Sequence, residues 1–181
     1  MSLLKNYHQL GHVVKDLDKA ISHWTSKLGV GPFFVTRRLS FSDFQYLGKA
    51  SSPIISMAIS HVGETQIELI QQHNDAPSGY QGFLQAGHEG LQHLGVFSDH
   101  YERDLTQFLA RGWHIEHQAI SPMDGKTRFV YLSANGPPGS VIELLEMTAE
   151  KYQRFAHIRQ VCEQWNVVDQ PVQELGFKTQ A

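Results

Sequence analysis

The 181-residue sequence has a single cysteine, Cys162, so no disulfide can staple the fold and no CxxC pair offers a thiolate metal site. It also lacks an excess of either charge. Lys and Arg number 15 against 18 Asp and Glu, and the net charge of -3 leaves no basic face for a polyanion, which excludes nucleic acid as an expected partner. No apolar run approaches the roughly 18 residues that a membrane helix requires, and residues 1–6 carry no apolar core of a signal peptide. The expected location is therefore cytoplasmic, with no membrane partner. Hydrophobic residues make up 41% of the chain, enough to bury a real core at a length between one large domain and two small ones. Histidine is the one generous count, at 11, but most of these must be surface or structural residues.

The chain does contain an internal duplication. Gln9-Leu10-Gly11 runs into Val13-Val14 and Asp16, and His93-Leu94-Gly95 runs into Val96-Phe97 and Asp99. In each copy a glycine follows the Asp by 13 residues, at Gly29 and Gly112. Each copy later closes on a Glu within an apolar run, Gln66-Ile67-Glu68-Leu69-Ile70 and Val141-Ile142-Glu143-Leu144-Leu145. In the first copy the pattern predicts a strand over 8–14 and a helix capped by Asp16, with Leu17, Ala20, Ile21, Trp24 and Leu28 at helical spacing and Gly29 at its end. Extended segments follow at 33–35, 41–46, 54–60 and 65–71. The polar stretch 73–90 reads as a linker with a short helix over 80–86. The second copy predicts a strand over 91–97, a helix opening at Asp99 with Leu105, Phe108 and Leu109 inward, and strands over 113–120, 127–133 and 141–147. A helix over 149–165 and a polar tail with Pro171 have no counterpart in the first copy, and a packing or dimer role suits them best.

The expected fold is α+β: two tandem βαβββ modules, 7–72 and 91–147, joined by the linker 73–90 and followed by a C-terminal helix and tail over 148–181. Each module has one sheet face to cover, and two of them can do so together by curving into a mixed-sheet trough. Side chains alternate along a strand, so Glu68 and Glu143 face away from their apolar neighbours and into that trough.

A carboxylate inside an apolar strand is costly unless it is paired, protonated or bound to a cation, and neither Glu has an Arg or Lys in its own strand. Two carboxylates brought together are stabilised by a divalent ion. Gln9 adds an amide oxygen and His93 an imidazole nitrogen at matched positions of the repeat, completing an O/O/O/N set suited to Zn²⁺, Ni²⁺, Co²⁺ or Mn²⁺. Each residue alone has an ordinary structural reading, and the joint placement at repeated positions carries the metal assignment. His8 and His12 compete for the first ligand position, but both point to the sheet face opposite Gln9. The middle-strand aromatics Phe33, Phe34, Phe41, Tyr46, Phe129 and Tyr131 are candidates for an apolar pocket. Arg37, Arg38, Lys126 and Arg128 are candidates to hold a substrate anion, although all four also read as solvated surface.

The strand motifs around Gln9, Glu68, His93 and Glu143 resemble the four metal-ligand strands of the vicinal oxygen chelate superfamily, over residues 7 to 147. That superfamily includes glyoxalase I, methylmalonyl-CoA epimerase, extradiol dioxygenases and bleomycin-resistance proteins. The order Gln, Glu, His, Glu is similar to one glyoxalase I ligand set, whereas epimerases usually place His first. Val13 and Glu89 stand where glyoxalase I has basic residues for glutathione, and Ser52 falls near the epimerase's second catalytic Glu, so neither named substrate is supported. The resemblance implies a metal-dependent lyase, isomerase or epimerase. Such an enzyme takes a proton α to a carbonyl of a small molecule with vicinal oxygens and stabilises the enediolate. Glu143 is then the expected base, with Glu68 or Gln9 assisting reprotonation. A homodimer is the expected assembly. Two other classes are a metal-free protein that sequesters a hydrophobic or aromatic molecule, and a metal-dependent dioxygenase, against which the single His93 argues.

Overall fold

The computed structural model describes residues 6–167 and 169–174. The first half contains β1 (Gln9–Val13), α1 (Leu17–Leu28), β2 (Phe33–Ser40), the short β3 (Gln45–Tyr46) and β4 (Lys49–Ala50), β5 (Ile54–Val62) and β6 (Thr65–Gln72). After α2 (Gly79–Gln85) come β7 (Gly90–Ser98), α3 (Tyr101–Leu109), β8 (His114–Ile120), β9 (Arg128–Ser133) and β10 (Val141–Glu146). The chain then forms α4 (Ala149–Glu163) and β11 (Val172–Glu174).

Local chemistry sets the ends of these elements. The Asp16 carboxylate accepts the Lys19 N–H at 3.0 Å and caps α1, and Gly29 closes the helix at φ 67°, a left-handed conformation that costs glycine little. Helix α3 starts two residues later than its acidic signal suggests, at Tyr101, and has His100 at the cap position. Its inward stripe is Tyr101, Leu105 and Phe108, a spacing of four and three residues. Leu109 lies one residue off that stripe and is exposed. Leu28, in the last turn of α1, is likewise exposed.

All eleven strands form one mixed sheet in the order β11-β2-β5-β6-β1-β7-β10-β9-β8-β3-β4, which is not closed into a barrel. Its centre repeats the duplication. β1 pairs parallel with β6, β7 pairs parallel with β10, and the two leading strands pair antiparallel with each other. One face is covered by α1 over Val35, Ala58, Ile67 and Leu69, and by α3 over Val130, Leu132, Ile142 and Leu144. The other face draws residues from both halves into one cluster, including Ile55 and Ile70 from the first and Phe129, Tyr131 and Leu145 from the second. This inner face is the expected trough, and helix α4 lies against it through β5, with Ile158 packed on Phe34 and Ile59.

Two parts of the topology differ from the sequence reading. The segment after β2 does not continue as a strand of the first half. It crosses to the far edge of the sheet, where β3 pairs with β8 and Phe44 is buried against Phe41 and His117. The stretch after Pro171 is not wholly a polar tail, because Val172–Glu174 adds a parallel strand to β2. The rest of that tail, from 175 on, lies outside the described residues. No helix among the described residues is long and apolar enough to cross a membrane.

Candidate metal centre and pocket

The register of the two central strands assembles the site. Across the β1–β7 seam Gln9 stands opposite Gly95, and Gly11 opposite His93. On their outer sides the same glycines are paired with the carboxylates: Gly11 with Glu68 on β6 and Gly95 with Glu143 on β10. Each glycine therefore lies between two polar residues in register, one of which leans over its bare Cα. A Cβ built on Gly95 would come within 2.5 Å of Gln9 Oε1, and one on Gly11 would overlap the His93 ring. The glycine of each repeat makes room for the polar residue of the other repeat.

Glu68, His93 and Glu143 are all buried, and one ligand atom from each lies within 4.8 Å of the others. His93 Nε2 is 3.2 Å from Glu68 Oε2, 3.7 Å from Glu143 Oε2 and 3.4 Å from the Tyr131 hydroxyl. The other ring nitrogen, Nδ1, is 2.8 Å from the side-chain oxygen of Gln92, which can only accept, so Nδ1 carries the proton and Nε2 presents its lone pair to the cluster. Gln9 is oriented in the same way. Its Nε2 donates to Gln66 Oε1 at 2.7 Å, which turns Oε1 away from Gln66, and Gln66 in turn donates to His61 Nε2 at 3.3 Å.

Six buried side-chain atoms lack a hydrogen-bond partner among the described residues, and three of them are the acceptors Gln9 Oε1, Glu68 Oε2 and Glu143 Oε2. All three residues line one pocket. An orphaned buried acceptor costs about 1–3 kcal/mol, more when charged, and three together beside a histidine lone pair suit a divalent cation. These residues fit the ion that the sequence pattern implies. In the metal-free chain burial pushes the Glu68 carboxyl up to about 8, while burial and then the neighbouring Glu68 push Glu143 up to about 7. Burial holds the His93 imidazole down at about 4, so it is neutral at pH 7 and free to ligate.

The pocket is a cleft open to solvent at its mouth, with a cavity volume of about 70 Å³. Its walls are apolar, with Phe41, Met57, Ile70, Phe129 and Leu145 among them. Of the aromatics proposed from sequence, Phe41, Phe129 and Tyr131 line it. Phe33 and Phe34 pack instead in the α1 and α4 cores, and Tyr46 lies at the edge of the inner cluster. None of the four proposed cations lines it. Arg37 pairs with Asp18 and Glu174, Arg128 pairs with Glu146 and Glu102, and Arg38 and Lys126 are also outside the lining. The cations that do line it, Lys151 and Arg154, come from α4, and Tyr80 comes from α2. Neither helix shows a sequence signal for this, because a single basic residue on a polar helix reads as surface. The rival histidines lie elsewhere. His12 packs edge-on against Trp24 of α1, and His8 stacks on Phe97 with its Nδ1 accepting that residue's N–H.

Among solved structures, methylmalonyl-CoA epimerase from Mycobacterium tuberculosis is similar at 19% identity and a TM-score of 0.58, covering 84% of this chain and 95% of that one. A hypothetical protein from Bacillus halodurans C-125 is similar at 16% identity and a TM-score of 0.54, covering 79% and 94%. A variant of Streptomyces coelicolor methylmalonyl-CoA epimerase, in complex with 2-nitronate-propionyl-CoA, is similar at 15% identity and a TM-score of 0.53, covering 81% and 96%. Likeness at these identities shows the fold. No curated relative matches the chain. A family model, however, matches residues 8–131, which take in the paired glycines of both repeats and three of the four polar residues around them. The chain belongs to the Glyoxalase/Bleomycin resistance protein/Dioxygenase superfamily.

Proposed function

We propose that the protein is a divalent-metal-dependent enzyme of the glyoxalase and epimerase kind, moving a proton at the carbon next to a carbonyl. Gln9, Glu68, His93 and Glu143 would hold the ion. The observation that carries this reading is the set of three orphaned acceptors around the His93 lone pair at a pocket wall. Zn²⁺, Ni²⁺, Co²⁺ and Mn²⁺ all suit two carboxylates, an amide oxygen and an imidazole. When bound, such an ion would polarise a substrate carbonyl and acidify the adjacent C–H bond.

The chain's own residues supply the remaining chemistry. Glu143 is the base that takes the proton from carbon. Glu68, which with Glu143 flanks His93 Nε2, would return a proton to the other face of the substrate, giving isomerisation or epimerisation. The Tyr131 hydroxyl, beside His93 Nε2, is a donor available to negative charge that develops on the substrate oxygen. Apolar walls keep water from competing for the proton.

The test has two steps. Elemental analysis of the protein after loading and gel filtration is expected to find about one ion per chain. NMR in D₂O with a panel of 2-oxo acids, 2-hydroxy ketones and acyl thioesters is then expected to show exchange at the substrate α-carbon that Glu143→Gln slows by about 10²–10⁴-fold. Full exchange in the Glu143→Gln protein would remove Glu143 as the base. Absence of a retained ion, with tight binding of an aromatic ligand and no turnover, would favour sequestration instead.

A further inference from the structure

The reactive side chains occupy only part of the pocket. Two cations from the C-terminal helix, Lys151 and Arg154, complete its lining, and the only carboxylates in that lining are Glu68 and Glu143. The cations differ in how they are held. Lys151 is buried, with Nζ 3.2 Å from the Glu146 carbonyl and 4.0 Å from Asp124, so it ties α4 to the turn that follows β8. Arg154 is three residues further on and therefore on the same face of the helix. It is half-buried and has no hydrogen bond or ion pair among the described residues. By contrast Arg37, Arg103, Arg128 and Arg159 each hold at least one carboxylate. A guanidinium cannot lose its charge, and its fork matches a carboxylate or phosphate with two parallel bonds.

We infer that the substrate carries a second anionic group, a carboxylate or phosphate, joined by an apolar body to the oxygens that react, and that Arg154 binds this group with Lys151 lending its charge. The chemistry of the pocket dictates this order. A second anion beside Glu68 and Glu143 would be repelled by their charge, whereas Arg154 meets it as a fixed, unpaired charge in a half-buried place on the lining. Neutral and singly headed carbonyl compounds would lack this anchor. The inference rests on the proposed function only for which part of the pocket takes the reacting oxygens.

Isothermal titration calorimetry on the Co²⁺-loaded protein tests it, using 2-oxo dicarboxylic acids of about five to eight carbons and the 2-oxo monocarboxylic acids of equal length as probes. At one or more lengths the diacid is expected to bind at least about tenfold more tightly than its partner. In Arg154→Gln that preference is expected to fall below about threefold, with monoacid affinity unchanged. An Arg154→Lys protein is expected to keep part of it. No preference at any length overturns the inference, as does a preference that survives in Arg154→Gln or an equal weakening of both series. If the wild-type chain takes up no Co²⁺, the metal reading fails by itself. The same comparison with aliphatic dicarboxylic and monocarboxylic acids on the metal-free protein then decides the role of Arg154.

Discussion

A Cβ atom on Gly11 would stand 1.9 Å from both Cε1 and Nε2 of His93, far inside any van der Waals contact. The absence of a side chain in one repeat is thus what lets the imidazole of the other reach the carboxylates. Gly11→Ala is expected to cost about 1–3 kcal/mol through forced displacement of the ring, and to abolish tight metal binding. Gly82→Ala is a suitable control, because a Cβ there meets only the Tyr46 hydroxyl at 3.5 Å. Thermal unfolding and Co²⁺ titration of the two variants would separate these effects, and normal Co²⁺ affinity in Gly11→Ala would sink the idea.

The metal-free protein should lose stability as pH rises from about 7.5 to 8.5. Glu68 and Glu143 are raised by burial to about 8 and about 7, so the folded state holds protons that the unfolded chain has already released. Their contribution is fully present below the unfolded carboxyl value and is lost as pH climbs through the folded ones. His93 works the other way: its folded value is lowered to about 4, so stability increases with pH up to its unfolded value near 6.5. His61 and His117, also lowered by burial, add to this rise, so the carboxyls dominate only from about one pH unit above that value. Melting temperatures measured between about pH 7.5 and 8.5 should decline, and the decline should shrink in Glu68→Gln and in the metal-loaded protein. A flat profile in the metal-free wild type would contradict this.

Metal uptake should release protons. At pH 7 the two carboxyls are partly protonated, and a cation requires them ionised. Calorimetry in buffers of different ionisation enthalpy is expected to find about one to two protons expelled per ion at pH 6.5. Affinity should weaken as pH falls further. Uptake with no proton release would place the ion elsewhere.

Gln92 and Gln66 act as positioning residues. Gln92 fixes the His93 tautomer and Gln66 turns Gln9 Oε1 toward the pocket. Gln92→Leu and Gln66→Leu are each expected to weaken Co²⁺ binding by about 10–100-fold. Co²⁺ absorption spectra would show whether coordination is altered rather than the fold. Wild-type affinity in both variants would leave these glutamines as core packing only.

Phe44 anchors the segment that crosses the sheet, packed on Phe41 and His117. Truncation to Ala removes a fully buried ring and is expected to cost about 3–5 kcal/mol in chemical denaturation. A loss below about 1 kcal/mol would show that the crossing segment contributes little.

Much of the site was legible from the chain because it lies on strands, where the two-residue period tells which face a side chain takes. Ile67 and Leu69 pack under α1 while Glu68 turns inward, as the alternation requires, and Glu143 behaves likewise between Ile142 and Leu144. Duplication supplied the rest, since it gave Gln9 and His93 equivalent places without reference to their surroundings. The pocket walls were less legible. Lys151, Arg154 and Phe155 come from a helix whose apolar residues form no continuous stripe, so its pattern did not say which side would turn inward. The crossing of β3 to β8 depends on a pairing between residues some 70 positions apart, such as Gln45 and Gln118, and local propensity does not encode that partner.

The same crossing has a consequence for assembly. The long outer strands of the two halves, β2 and β8, are each covered by a short piece of chain from elsewhere: β11 of three residues on one, and the β3–β4 hairpin, with two residues in each strand, on the other. Among the described residues, β11 covers only Phe33–Val35 of β2 and β3 covers only His117 and Gln118 of β8, so each flank is broken into short offset runs and no strand is open along its whole length. A foreign strand would meet a stepped edge instead of one straight ladder, which hinders growth from molecule to molecule. Pairing of two copies through helices or sheet faces meets no such interruption.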